Sequence, residues 1–257
     1  MRFLLASLFI FSFGITACTA QTSPERPPLL KGVHRIVCLG DSITQGGEGP
    51  GGYVWMVRHY LSALYPQQPI EVVNAGISGH KSTDMLARFQ RDVLDKKPDL
   101  VTISVGVNDV WHGFYDNHPD GDGPRGIPLV EYRQHVEDMI VQAEKSGAKV
   151  VVLSTTVIHE EDNRENAKLK NYNAALRDLA KKHHAAFVDY QKPFWVLINA
   201  YRKETGGHEL LLTVDGVHMN ATGNRVMAHT LLTGLGIAPA AQAAVQSAVD
   251  TDQRNSK

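Results

Sequence analysis

Four short fragments of the 257-residue chain carry side chains able to act on an acyl group. Gly40-Asp41-Ser42-Ile43-Thr44-Gln45-Gly46 follows an apolar run and sets a serine hydroxyl on a glycine-flanked turn. Such a turn exposes a nucleophile, or else Asp41 and Ser42 satisfy backbone donors of the loop. Asn74-Ala75-Gly76-Ile77-Ser78-Gly79 ends in a glycine whose N–H no side chain obstructs, which can face an anion or merely supply a positive φ. In Gly106-Val107-Asn108-Asp109, the Asn108 amide can donate to an oxyanion without carrying charge, or bond its own backbone in a turn. Asp215-Gly216-Val217-His218 sets a carboxylate three residues before an imidazole, with glycine between them to let the loop fold. The carboxylate can then fix the ring tautomer and leave the other nitrogen as a base. The remaining histidines, including His183 and His184 on one helix, read as ordinary surface or core residues.

The elements around these fragments alternate in type. Short β-branched runs at 35–39, 70–74, 100–105, 149–154 and 186–189 read as strands, separated by segments of helical period. Val54, Val57, Leu61 and Leu64 make one apolar stripe of a crossover helix, and further helices are expected at 82–95, 129–146, 163–183 and 221–235, with Gly147 as a C-cap. The pattern predicts an α/β fold: a three-layer α/β/α sandwich around a doubly wound, parallel, five-stranded sheet of flavodoxin-like order 2-1-3-4-5. All four fragments then fall at the carboxyl ends of strands or just past the last one, where they can converge on one crevice. Independent turns would have no need to converge.

With these blocks in this order the chain resembles the SGNH hydrolases, or GDSL esterases, over residues 33–235, nearly all of the expected mature chain. The resemblance implies that Ser42 is the nucleophile, that His218 is general base and then acid, and that Asp215 orients His218. It also implies an oxyanion hole made of the Ser42 N–H, Gly79 and Asn108. The first block often ends in Leu where this chain has Ile43, and the last often continues with Pro where it has Met219; neither change touches a catalytic atom. Residues 40–44 (G-D-S-I-T) and 106–111 (G-x-N-D-V-W) are most similar to bacterial carbohydrate acetylesterases of the xylan type. That likeness implies a serine esterase acting on short acetyl esters of carbohydrate, without a cofactor or a metal. Asp41 and Trp111 are candidate substrate contacts, Trp111 being either a platform for a sugar ring or a lid over the core. The loops at 46–52 and 116–126 are polar and glycine-rich and offer little surface to a long acyl chain, whereas Trp111, Phe114 and Tyr115 could stack on a sugar. The rival readings are a lipase or lysophospholipase of the same family, and a carbohydrate-binding module that has kept the fold without turnover.

Composition narrows the classes further. Lys plus Arg number 26 against 27 for Asp plus Glu, so the chain has no electrostatic footprint for nucleic acid or an anionic membrane. The length suits one catalytic domain, expected at residues 33–238. Met1-Arg2 and the apolar run to Ile15 have the form of an export signal within residues 1–20. It contains Ile15-Thr16-Ala17-Cys18, which resembles a lipobox and makes Cys18 the lipid attachment point; cleavage after Ala20 is the alternative. The protein is thus expected to be exported, as an envelope lipoprotein or in free periplasmic or secreted form. Residues 21–32, rich in proline, read as a tether, and residues 239–257 as a weakly ordered tail or a short terminal helix. Cys38, in an apolar run, reads as core. The acidic loop at 116–123 lacks the Glu of a calcium loop, having Ile127 at that place, and reads as a substrate-side loop without metal. The glycines at 46–52 lack the Lys-Ser or Lys-Thr of a phosphate loop.

Overall fold

The apolar runs pair into one parallel sheet in a computed structural model that describes residues 24–256. Its strands are β1 (Arg35–Gly40), β2 (Glu71–Gly76), β3 (Leu100–Ser104), β4 (Lys149–Leu153) and β5 (Ala186–Val188), in the order β2-β1-β3-β4-β5. The central strands are apolar without alternation because both their faces are covered, and Val37, Leu39, Val101, Ile103, Val151 and Val152 are fully buried. Pairing sets Gly40 opposite Gly76, Leu39 opposite Ile103, and Ser104 opposite Leu153. The carboxyl ends of four strands therefore stand level, and the loops leaving them share one edge.

The helices are α1 (Ser42–Gly46), α2 (Tyr53–Leu64), α3 (Ser82–Ala87), α4 (Phe89–Asp92), α5 (Val107–Trp111), α6 (Leu129–Lys145), α7 (Arg164–Lys182), α8 (Gln191–Thr205), α9 (Ala221–Gly234) and α10 (Pro239–Asn255). They pack in two groups, α2 with α9 and α10, and α3 with α6 and α7, so that the sheet is the middle of three layers. Gly147 closes α6 as expected, at φ 85°, with its N–H on the Glu144 carbonyl.

Four segments differ from expectation. The helix expected at 82–95 is broken at Arg88 (φ −102°, ψ 2°), whose side chain turns inward, 5% exposed, to reach two strand ends. Residues 191–205 form α8, which the periodicity did not predict because only Phe194 and Ile198 along it are buried. The tail takes the helical one of its two expected readings but is not short: Pro239 starts a 17-residue helix, α10, which docks on α2 and α9. There the Gln242 side chain, 3% exposed, accepts from His229 Nδ1 through Oε1 and donates through Nε2 to Thr233 Oγ1 and the Ile237 carbonyl. Nor is the tether wholly free, because Leu30 is fully buried and Lys149 Nζ donates to the Leu29 and Lys31 carbonyls at 2.9 and 2.8 Å. The folded unit thus begins ahead of residue 33. The export signal and Cys18 lie outside the described residues. Cys38 is buried in the core, and burial pushes its thiol up to about 11. No described helix is long and apolar enough to cross a membrane.

Candidate active site

Ser42 owes its place to the turn between β1 and α1. Asp41 caps α1, its Oδ1 accepting the Ile43 N–H at 2.9 Å, and Ser42 is the helix's first residue, so its own N–H belongs to the unpaired first turn. Asp41, expected as a substrate contact, is 3% exposed and engaged in capping. Burial pushes its carboxyl up to about 6, against the pull of the Ile43 N–H and of His218.

His218 reaches Ser42 from the loop between α8 and α9. Its Nε2 lies 2.9 Å from Ser42 Oγ and its Nδ1 2.6 Å from Asp215 Oδ2. Asp215 Oδ1 accepts the N–H groups of Val217 and His218 at 3.0 and 2.8 Å. Partial burial opposes charge on Asp215, but the His218 N–H, the His218 ring and the Val217 N–H outweigh it and hold the carboxyl down to about 2. An ionised Asp215 fixes the tautomer in which Nδ1 carries the proton and Nε2 is a bare acceptor facing the serine.

The loop after β2 runs beside the serine turn. Ile77 N donates to the Gly40 carbonyl at 3.1 Å and Ser78 N to Gln45 Oε1 at 2.7 Å. Gly76 permits this approach, since a Cβ there would lie 2.2 Å from the Gln45 backbone nitrogen. Gly79 follows in an exposed turn at φ 77°. After β3, Gly106 (φ 127°) turns the chain into α5, where a Cβ would collide with Thr155 and Tyr132, and so delivers Asn108 to the same edge. Asn108 Nδ2 donates to the His80 carbonyl at 3.1 Å, and Asp109 Oδ1 accepts the Ser82 N–H at 2.9 Å, so neighbouring side chains grip the Gly79 loop.

Residues beyond the four fragments brace this arrangement. Arg88 donates to the carbonyls of Gly40, the last residue of β1, and Ala75, the last but one of β2, and its Nε lies 3.0 Å from His80 Nδ1. Burial and the Arg88 charge push the His80 ring below the ordinary imidazole value, which leaves Nδ1 free to accept. Asp109 is 1% exposed, and burial pushes its carboxyl up to about 6. Nothing local in the sequence distinguishes Arg88 from Arg91.

Trp111 is partly exposed, its ring 6.0 Å from that of His159 and 5.7 Å from that of Tyr115, edge-on to both. Tyr115 in turn stacks on His112 and carries the Arg125 guanidinium over its face. His159 N donates to the Gly216 carbonyl at 2.7 Å, which brings this aromatic row against the loop of Asp215 and His218. His159 was not foreseen. Phe114 points elsewhere, packing under Gly121 and Lys168. Among the described residues, no group of three or more His, Cys, Asp or Glu side chains could hold a metal ion.

A hydroxyl, an imidazole and a carboxylate in line, beside several N–H donors, suit acyl transfer through an oxyanion. The GDSL-like lipase/acylhydrolase family matches residues 38–226 of this sequence. The chain belongs to that family. An acetylxylan esterase of Geobacillus stearothermophilus is 30% identical over 220 residues, covering 79% of this chain and 94% of the relative. The crystal structure of an acetyl xylan esterase, AlAXEase, superposes with a TM-score of 0.70 at 30% identity, covering 77% of this chain and 98% of that one. An uncharacterized lipoprotein of Bacillus subtilis, YqeF, is 25% identical over 77% of this chain and 87% of its own length. The GDSL-like chain described here is a carboxylic ester hydrolase with the doubly wound fold of that family.

Proposed function

We propose that this esterase removes O-acetyl groups from carbohydrate, with Ser42 as nucleophile, His218 as base and then acid, and Asp215 as the group that orients His218. Ser42 Oγ attacks the acetyl carbon while His218 Nε2 takes its proton. The resulting oxyanion is met by the N–H groups of Ser42 and Gly79 and by Asn108 Nδ2. Collapse breaks the bond to the sugar oxygen, which leaves with the proton from His218. Water, deprotonated by the same nitrogen, then attacks the acetyl-serine; the bond to Ser42 Oγ breaks, Oγ takes the proton back from His218, and acetate leaves.

The observation that carries the reading is the continuous chain Asp215–His218–Ser42 at 2.6 and 2.9 Å, with Trp111 edge-on to His159, whose N–H holds the Gly216 carbonyl of the same loop. The acetylxylan esterase names of the relatives support the substrate class. The partly exposed Trp111 supports a sugar over a long acyl chain, since Tyr115 and His159 meet it edge-on and a sugar ring can stack on an indole. The lipobox at Cys18 and the lipoprotein relative support export with a lipid anchor.

Acetate release from acetylated xylo-oligosaccharides, run beside p-nitrophenyl esters from acetate to decanoate, tests the proposal. The kcat/KM is expected to be highest for acetyl and to fall beyond about four carbons, because a methylene left outside an apolar groove forgoes about 0.8 kcal/mol. A rate that climbs steadily to decanoate, with no acetate released from the sugar ester, would make the enzyme a lipase.

A further inference from the structure

The loop that carries Asp215 and His218 is held at its base by a buried carboxylate outside the proposed triad. Glu160, between β4 and α7, is 1% exposed. Its Oε1 accepts the N–H groups of Leu212 and Thr213 at 2.9 and 2.8 Å and the Thr213 hydroxyl at 2.7 Å, while Oε2 accepts the Leu211 N–H at 2.8 Å. Its oxygens meet loop N–H and O–H donors, and no ion pair reaches them among the described residues.

Thr213 passes this hold on towards the site. Its Oγ1 accepts the N–H of Gly216, the residue after Asp215, at 3.2 Å, and its backbone bridges Met219, the residue after His218. Val214 N donates to the His218 carbonyl at 2.8 Å, which closes the turn. From the other side, His159 N grips the Gly216 carbonyl, and Arg202 donates to the Glu160 carbonyl. His159 and Glu160 both have left-handed backbone, at φ 61° and 51°. Two consecutive residues other than glycine keep that conformation only where their surroundings over-determine it.

We propose that Glu160 is the positioning residue that sets Asp215 and His218 at their height over Ser42, an inference that rests on the triad reading above. A carboxylate presents acceptors alone, and every group facing this one is a donor. Glu160→Gln keeps the shape but turns an NH2 towards N–H groups, so the segment at 211–213 must shift, and Gly216 with it. The loop can stay folded while the imidazole moves.

The test compares wild type, Glu160→Gln, Thr213→Val and Ser42→Ala by kinetics with p-nitrophenyl acetate, and by the low-field NMR signal of the His218 Nδ1 proton shared with Asp215. Glu160→Gln is expected to lose on the order of 10²-fold in kcat with little change in KM, the scale of a small misplacement of reacting groups. Its low-field signal should move or broaden. Thr213→Val, which removes the relay to Gly216 and the hydroxyl bond to Glu160 but leaves the three N–H bonds to that carboxylate, should show both effects more weakly, and it decides the matter if Glu160→Gln does not fold. Unchanged kcat and an unchanged signal in a folded Glu160→Gln, or in Thr213→Val where that variant decides, would overturn the proposal while an inactive Ser42→Ala upheld the triad. An active Ser42→Ala together with a displaced signal in Glu160→Gln would overturn the triad and leave Glu160 as the residue that positions Asp215 and His218.

Discussion

His218 Nε2 stands 2.9 Å from Ser42 Oγ although the residues are 176 positions apart in the chain. The serine is held by the carboxyl end of β1, and the histidine by a turn that Asp215 caps from within, accepting two backbone N–H groups as well as the ring. Asp215→Asn is therefore expected to leave the loop in place but favour the wrong tautomer, with kcat falling about 10⁴-fold. Kinetics with p-nitrophenyl acetate check this, and a loss under tenfold would show that the ring needs no fixed tautomer.

Asn108→Ala removes one of the proposed oxyanion donors and the bond to the His80 carbonyl. The expected cost is about 10²- to 10³-fold in kcat, with KM for a small ester nearly unchanged. Normal turnover would mean that a different donor faces the oxyanion.

Asp41 and Asp109 give stability a pH dependence of definite sign. Burial raises both carboxyls to about 6, so each binds its proton more tightly in the folded chain than in the unfolded one. Their contribution is full below about pH 4, the ordinary range, and is lost as the pH rises through about 6. Asp215, held at about 2, has the opposite sign and loses its contribution only as the pH falls towards that value. Asp109→Asn keeps an acceptor for the Ser82 N–H and removes the charge. Its Tm is expected to exceed that of wild type at pH 8, by a margin worth up to about 3 kcal/mol, and to match it near pH 4. Equal melting at pH 8 would contradict the raised carboxyl.

Much of this was legible in the sequence, for identifiable reasons. Strands buried on both faces leave uninterrupted apolar runs, and a parallel sheet puts the loops after them on one edge, so Ser42, Gly79, Asn108 and His218 could be brought together before any coordinates. What was hidden depends on contacts distant in the chain. Arg88 and Glu160 look like surface charges until the strand ends and the loop at 211–213 fold around them. Asp41 neighbours Ser42 and reads in the sequence as a substrate contact, whereas its place as the cap of α1 buries it. Leu30 lies in a stretch whose prolines suggest a spacer, and its burial depends on the domain beside it.

Cys18→Ser is expected to move the protein from the membrane fraction to the soluble fraction with unchanged specific activity, if the lipid is an anchor and nothing more. Wild-type protein found wholly soluble, with its N-terminus at Gln21, would instead establish ordinary secretion.

The covalent step is the most direct test of the whole account. Enzyme quenched in acid during turnover of p-nitrophenyl acetate, digested and mapped by mass spectrometry, is expected to carry one acetyl group, on Ser42. Ser42→Ala should carry none and turn over roughly four to six orders of magnitude more slowly. An acetyl group on another residue that accumulates at a rate matching turnover, or a Ser42→Ala enzyme with near-normal kcat, would contradict it.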